Sequence, residues 1–199
     1  SEMCIRDRAI HHAAIEPHVA IADFAPNGKL TVYSPCQNTF AFRVIMSRIF
    51  GLSYNRIRMV APAIGGAFGG KLEVTVEPVA AVLSQMTGKP VKVEYNRKES
   101  ILSTRVRHAS VNYVKTGFMK DGTLKAVDFK VYTNTGAYAS SALNVSGAMS
   151  HKVFKAYKID HMRFQCQPVY TNTEIAGAMR GYGSPQVYFG WQRQMQKIA

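Results

Sequence analysis

Apolar residues recur along this chain with two different periods, and the two alternate in no fixed order. Residues 40–50 place Phe42, Ile45, Met46, Ile49 and Phe50 at the three-to-four spacing of an amphipathic helix, and Gly51 stands where that helix should stop. Residues 79–86 predict a second helix, ended by Thr87, Gly88, Lys89 and Pro90, and residues 187–199 predict a third. Short apolar runs at 19–22 and 30–33 flank Pro26, Asn27, Gly28 and Lys29, a turn signal, so they predict a hairpin. A stronger hairpin signal spans 111–118 and 123–133, two β-rich runs around Lys120, Asp121 and Gly122. Alternation at 55–60, where Ile57 and Met59 interleave with arginines, and at 91–95 predicts two more strands. There is no internal repeat and no regular strand–helix alternation. The predicted class is α+β, with mixed sheets, hairpins and packed helices.

Composition supports a folded chain. Its 199 residues are 47% hydrophobic and 19% charged, with ten Tyr and ten Phe, which is enough apolar material for a core and too little charge for disorder. No run of eighteen apolar residues is present, so no membrane span is predicted. Cys4, Cys36 and Cys166 lie far apart and fit no zinc or redox spacing, and no signal peptide is visible. A reduced, cytoplasmic protein is expected. The net charge of +13 attracts polyanions in general, but Lys and Arg are dispersed and no nucleic-acid motif accompanies them. A basic interaction module stays open as an alternative. An acidic partner domain or subunit accounts for the imbalance equally well, and no nucleic-acid partner is expected.

The ends stand apart from this pattern. Residues 1–8, SEMCIRDR, look like translated adapter sequence and are set outside the fold; their charges cancel, so the +13 does not depend on them. Residues 9–199 then read as one partial domain, truncated at both ends, since Gln196 to Ala199 stop inside a predicted helix.

The loop at 65–71, GGAFGGK, is the most informative stretch. Four glycines in six positions permit positive φ and close approach of backbone to a ligand. Such a loop turns N–H groups outward toward anionic or carbonyl-like oxygens. Residues 65–71 also satisfy the first seven positions of a nucleotide-binding P-loop, but the magnesium-holding Ser or Thr is replaced by Leu72. A P-loop-like nucleotide binder is therefore kept as an alternative, beside a purely structural turn.

Three further segments stand out: HHAAIEPH at 11–18, YSPCQNT at 33–39 and AGAMRGYGSPQ at 176–186. Taken with the glycine loop, their order and spacing resemble the molybdopterin-binding large subunit of the xanthine dehydrogenase and aldehyde oxidase family. TGKPVKVEYNRKE, RVRHASVNYVKTGFMKDG, TNTGAYA and VYTNT agree, so the resemblance covers about residues 9–199. It implies part of the molybdopterin-binding domain of a molybdenum hydroxylase. The metal would be held by the dithiolene sulfurs of a pterin, with or without a cytosine dinucleotide extension, and by no side chain. Gln37 would donate its amide to an oxygen on molybdenum. The backbone at Phe68 and Gly69 would approach the metal centre, with Gly66 and Ala67 alongside. Arg180, next to Ala178 and Met179, would lie beside metal and pterin and stabilise negative charge on the substrate, and Tyr182 would pack a planar substrate. On residue type alone, Gln37 can also be read as a solvent-facing strand-end side chain, Arg180 as a surface arginine and Tyr182 as a core tyrosine. His11, His12 and His18 lack metal-ligand spacing and read as structural.

The reaction implied by the resemblance is hydroxylation of an N-heterocycle, purine- or nicotinate-like, or of an aldehyde, with oxygen derived from water. The family's base is a glutamate near the C-terminus of the full subunit. It lies outside this sequence, so no catalytic residue is assigned, and this fragment alone is expected to be inactive. Iron–sulfur clusters and FAD would reside on partner domains or subunits, beside the remaining C-terminal molybdenum domain. Two departures matter. Xanthine-oxidising members carry Glu directly after GGK, where this chain has Leu72, with Glu73 one position later; on a helix that neighbour points about 100° away. Gln192 also replaces a common glutamate in the final helix, which suggests a divergent branch.

Overall fold

The computed structural model describes residues 1–199 and divides the chain into two units, Ser1–His11 with Arg105–Ala199, and His12–Thr104. Strand β1 (Glu2–Asp7) opens the first of them. The residues set outside the fold by sequence thus form a strand, pairing antiparallel with a later one.

In His12–Thr104, β2 (Val19–Phe24) and β3 (Leu30–Tyr33) form the predicted hairpin. Helix α1 (Thr39–Phe50) follows, capped by Asn38, whose side chain accepts from the Ala41 N–H at 3.0 Å. A short 3-10 turn at Tyr54–Arg56 takes the start of the strand expected from 55, so β4 is only Ile57–Val60. Since β4 runs parallel to β3, β3–α1–β4 is a crossover unit. Helix α2 (Glu77–Thr87) and strand β5 (Val91–Glu94) come next, giving the sheet order β4-β3-β2-β5. Helix α2 turns small residues inward: Ala80, Ala81 and Ser84 are buried, and Ser84 Oγ accepts from the Phe24 N–H at 2.9 Å. Leu30, Val32, Met46 and Ile57 complete that core. Helix α3 (Arg97–Ser103) was not predicted, though Asn96 and Glu99 form a reciprocal capping box at its start.

The other unit adds β6 (Val106–Arg107), β7 (Ser110–Phe118), β8 (Leu124–Gly136), α4 (Ala142–Lys152), β9 (His161–Tyr170), β10 (Ala176–Gly177) and α5 (Ser184–Ile198). Strands β7 and β8 are the strong predicted hairpin. The sheet runs β1-β7-β8-β9, and β8–α4–β9 is a second parallel crossover. Inward residues of β7 and β8 alternate, and Val114, Val127, Phe129 and Val131 pack with Val145 and Met149 of α4 and Trp191 of α5. Phe129 and Trp191 are wholly buried, so truncating either to alanine costs about 3–5 kcal/mol. The α+β class holds, with both four-stranded sheets mixed and a small parallel pair, β10-β6, in addition. No helix is long and apolar enough to cross a membrane.

Candidate functional site

The glycine loop joins β4 to α2, and the HHAAIEPH segment lies along it. Glu16 is the joint. Its backbone N–H donates to Gly65 O at 3.0 Å, while its carboxylate accepts from the Gly65 N–H at 3.0 Å and from Lys71 Nζ at 2.5 Å. Lys71 is buried and Glu16 about one-third exposed. His18 Nε2 lies 3.0 Å from Gly70 O, and a Cβ added at Gly70 would meet the His12 ring at 3.0 Å. Two motifs distant in sequence are therefore one packed element, and these histidines serve as its lining.

That arrangement removes the nucleotide-triphosphate reading. A P-loop lysine must be free to reach phosphates. Here Lys71 points inward and is neutralised by Glu16, and residues 71–76 are turns, so no helix starts directly behind the loop. The same turns correct the helical geometry assumed for Leu72 and Glu73; helix α2 begins only at Glu77. The Glu77 carboxylate is buried, accepting from Ser34 Oγ at 2.6 Å and the Thr75 N–H at 2.7 Å, which ties the start of α2 to the segment leading to Gln37.

Within the loop, Gly66, Phe68 and Gly69 have φ of 100°, 53° and 100°. For Phe68, a left-handed backbone costs about 1–3 kcal/mol, yet its side chain is 48% exposed, so burial of the ring does not offset that strain. Gln37 is anchored on the loop. Its N–H donates to Lys71 O at 2.9 Å, and its side-chain Oε1 accepts from the Gly69 N–H at 2.9 Å. With Oε1 engaged, the exposed end of this amide is the Nε2 donor. The N–H groups of Gly66, Ala67 and Phe68 make no hydrogen bond within the chain. Successive open N–H groups in such a backbone form a concavity for an oxygen-bearing ligand. Gln37, Gly66, Ala67, Phe68 and Gly69 are thus brought together, with Ala67 buried beneath. Next to Gln37, Cys36 is buried, and burial followed by the Glu77 carboxylate pushes its thiol above the ordinary value.

Ala178, Met179, Arg180 and Tyr182 gather separately, in the unit Arg105–Ala199, on the turn between β10 and α5. Ala178 is buried and Met179 half-buried, while Arg180 is exposed and makes no ion pair. Tyr182, with φ of 46°, is half-buried against the core around Trp191, so it is partly a packing residue. The sequence gives no direct signal for two residues that grip this turn. Arg107, buried on β6, donates to Arg180 O at 2.8 Å and to Gln186 Oε1 at 3.3 Å. Burial lowers its guanidinium below the ordinary arginine value, opposed by the Asp7 carboxylate. Lys152, at the end of α4, donates to Gly181 O at 3.1 Å and to Tyr182 O at 3.3 Å. Gln192, the departure in α5, accepts from Tyr157 Oη at 3.0 Å.

Across the chain, no three His, Cys, Asp or Glu side chains are grouped to hold a metal ion. The donors at the 65–71 loop are instead backbone N–H groups and one neutral amide, and the 178–182 turn separately carries one exposed arginine. The class defined by this fold and these loops is a cofactor-cradling α+β domain. The chain belongs to the molybdopterin cofactor-binding domain family, whose model matches residues 2–199. It is 35% identical over 191 residues to a xanthine dehydrogenase molybdenum-binding subunit of Escherichia coli, covering 96% of this chain and 25% of that protein. It is also 35% identical over 188 residues to the nicotinate dehydrogenase large molybdopterin subunit of Eubacterium barkeri, covering 94% of this chain and 44% of that one. Among solved structures, an aldehyde oxidoreductase from Desulfovibrio gigas superposes with a TM-score of 0.88 at 30% identity, over 95% of this chain and 21% of that chain. The chain thus spans from a fifth to under half the length of these relatives.

Proposed function

We propose that this chain supplies the molybdenum–molybdopterin-binding part of a molybdenum hydroxylase, which oxidises an N-heterocycle or an aldehyde with oxygen derived from water. The observation that carries this reading is the Gln37 amide, whose Oε1 is occupied by the Gly69 N–H so that Nε2 is presented as a neutral donor beside three open loop N–H groups. A neutral donor polarises an oxygen without adding charge. The bound cofactor supplies the two-electron redox chemistry; the residues here bind and orient. Gln37 and the loop N–H groups hold oxygens. Arg180 favours negative charge, and the half-buried Tyr182 gives a π-face to a planar molecule. The pterin carries a cytosine dinucleotide extension or none. Iron–sulfur and flavin groups on partner domains or subunits take the electrons onward, in the cytoplasm, where the three free cysteines stay reduced.

The test is metal analysis of the complete subunit, purified with its partners from a host that makes the cofactor. Stoichiometric molybdenum is expected, and a well-folded complex without it overturns the reading. Gln37→Leu should keep the fold and lower turnover more than it lowers molybdenum content, because the donor it removes orients an oxygen and does not hold the pterin.

A further inference from the structure

The turn that carries Arg180 is built from backbone that L-residues avoid. Gly181, Tyr182 and Gly183 have φ of 91°, 46° and 91°, three left-handed residues in succession. A chain keeps such a shape only where its surroundings over-determine it. Three consecutive carbonyls, those of Arg180, Gly181 and Tyr182, each accept from a cationic side chain: the first from Arg107, the other two from Lys152. The Lys152 ammonium also lies 6.0 Å from the centroid of the Tyr182 ring. Neither cation makes an ion pair, so each directs its charge at neutral oxygens of the turn. Arg107 is additionally fixed by Gln186 of α5, and Gln186 Nε2 donates to His108 O at 3.3 Å, which closes a buried network behind the turn.

We propose that Arg107 and Lys152 are positioning residues: they clamp the three carbonyls of the 180–182 turn and so fix the backbone from which the Arg180 guanidinium acts on the cofactor or substrate. This rests on the molybdopterin reading above for what Arg180 meets, but not for the clamp itself. A guanidinium on a flexible arm is useful only if its root is held, and here the root would otherwise relax out of the left-handed region.

The experiment uses the complete subunit assembled with its partners, as wild type, Arg107→Gln, Lys152→Gln, Arg107→Lys and Lys152→Arg. Four readouts are taken: molybdenum content, thermal midpoint, hydrogen exchange of amides in residues 180–187, and the Mo(V) resonance spectrum after dithionite reduction. Lys152→Gln should fold normally, exchange in the turn about tenfold faster, and show an altered spectrum at unchanged molybdenum content. Lys152→Arg should restore both, and Arg107→Gln should have the larger effect. If Arg107→Gln does not fold, Arg107→Lys, with one nitrogen in place of the two that reach Gln186 and Arg180, gives the intermediate result. Exchange and spectrum both within about twofold of wild type in folded variants would overturn the proposal. Faster exchange with an unchanged spectrum would also overturn it, leaving a clamp that positions nothing. Absence of molybdenum from the wild type would end the cofactor reading, while the exchange rates would still decide the clamp.

Discussion

The two loops that carry the candidate site residues are held by opposite electrostatic means. Around residues 65–71, the buried cation Lys71 is neutralised on the spot by Glu16, and what remains exposed is a neutral set of donors, the Gln37 amide and the loop N–H groups. Around residues 180–183, Arg107 and Lys152 rest on carbonyl oxygens with no carboxylate in contact, and Arg180 adds a third positive charge. One loop is therefore a polar, uncharged cradle and the other a positive one. A neutral cradle suits an oxygen whose charge should not be disturbed; a positive one suits a phosphate or a developing anion. The same contrast bears on the net charge of +13, part of which is cation without a carboxylate partner around residues 180–183.

The two loops differ most in what their glycines tolerate. A Cβ on Gly183 would sit 2.7 Å from Met149 Cγ and 2.9 Å from Val145 O, at a φ of 91°. Gly183→Ala should cost about 3 kcal/mol or more, combining left-handed strain with overpacking. A Cβ on Gly66 meets nothing closer than 3.4 Å, so Gly66→Ala should carry the strain alone, about 1–2 kcal/mol. Urea unfolding of both variants checks the ranking, and equal losses would mean that the turn is not tightly seated.

Glu16→Ala is expected next in size. It leaves Lys71 buried without a counter-charge and the Gly65 N–H without an acceptor, at a cost of about 2–3 kcal/mol, less than for a fully buried pair because Glu16 is partly exposed. Replacing both partners, Lys71→Met with Glu16→Leu, should return part of the loss. Thermal midpoints of the single and double variants separate the two cases.

Much of this was legible in the chain. Helices α1, α2 and α5 and both hairpins follow from local periodicity and turn residues, which act over a few positions. Helix α4 did not show, because Asn144, Ser146 and Gly147 are poor helix formers and Val145 and Met149 are held by long-range packing. Strand β9 was hidden by Pro168, tolerated because this is the edge of its sheet. The capping box of α3 is carried by Asn96 and Glu99, but the seven-residue helix behind it is too short to show a clear apolar period. Motif resemblance pointed to the loops that carry the candidate residues. Glu16, Arg107 and Lys152 act on residues 29 to 73 positions away, contacts that only the folded chain creates.

A smaller effect extends the comparison to the thiols. Cys36 is buried in one unit and Cys166 half-buried in the other, and desolvation raises both above the ordinary value of 9.0; the Glu77 carboxylate adds to the rise at Cys36, while Ser146 and Thr133 oppose it at Cys166. A thiol held protonated in the fold contributes nothing adverse at neutral pH. Its stabilisation relative to the unfolded chain is lost as pH climbs through the folded value, so stability should decline above about pH 9. Iodoacetamide at pH 8 should label exposed Cys4 first, with Cys36 and Cys166 lagging. Equal labelling of all three would show that the two cores open easily.

The smallest stability change is expected at Phe68, and it is the most informative about function. Glycine at a φ of 53° relieves the strain of a side chain in the left-handed region, while adding chain entropy to the unfolded state. These terms oppose each other at about 1 kcal/mol apiece, and the half-exposed ring loses little packing, so Phe68→Gly should leave the unfolding free energy within about 0.5 kcal/mol of wild type. A strained aromatic that stability does not require is held for what it touches. If that is the cofactor, the same variant should lose molybdenum on dialysis faster than wild type while unfolding at the same urea concentration. A Phe68→Gly protein that keeps its molybdenum would assign the cradle to Gln37 and the backbone alone, and a clear loss of stability would make the ring a structural residue after all.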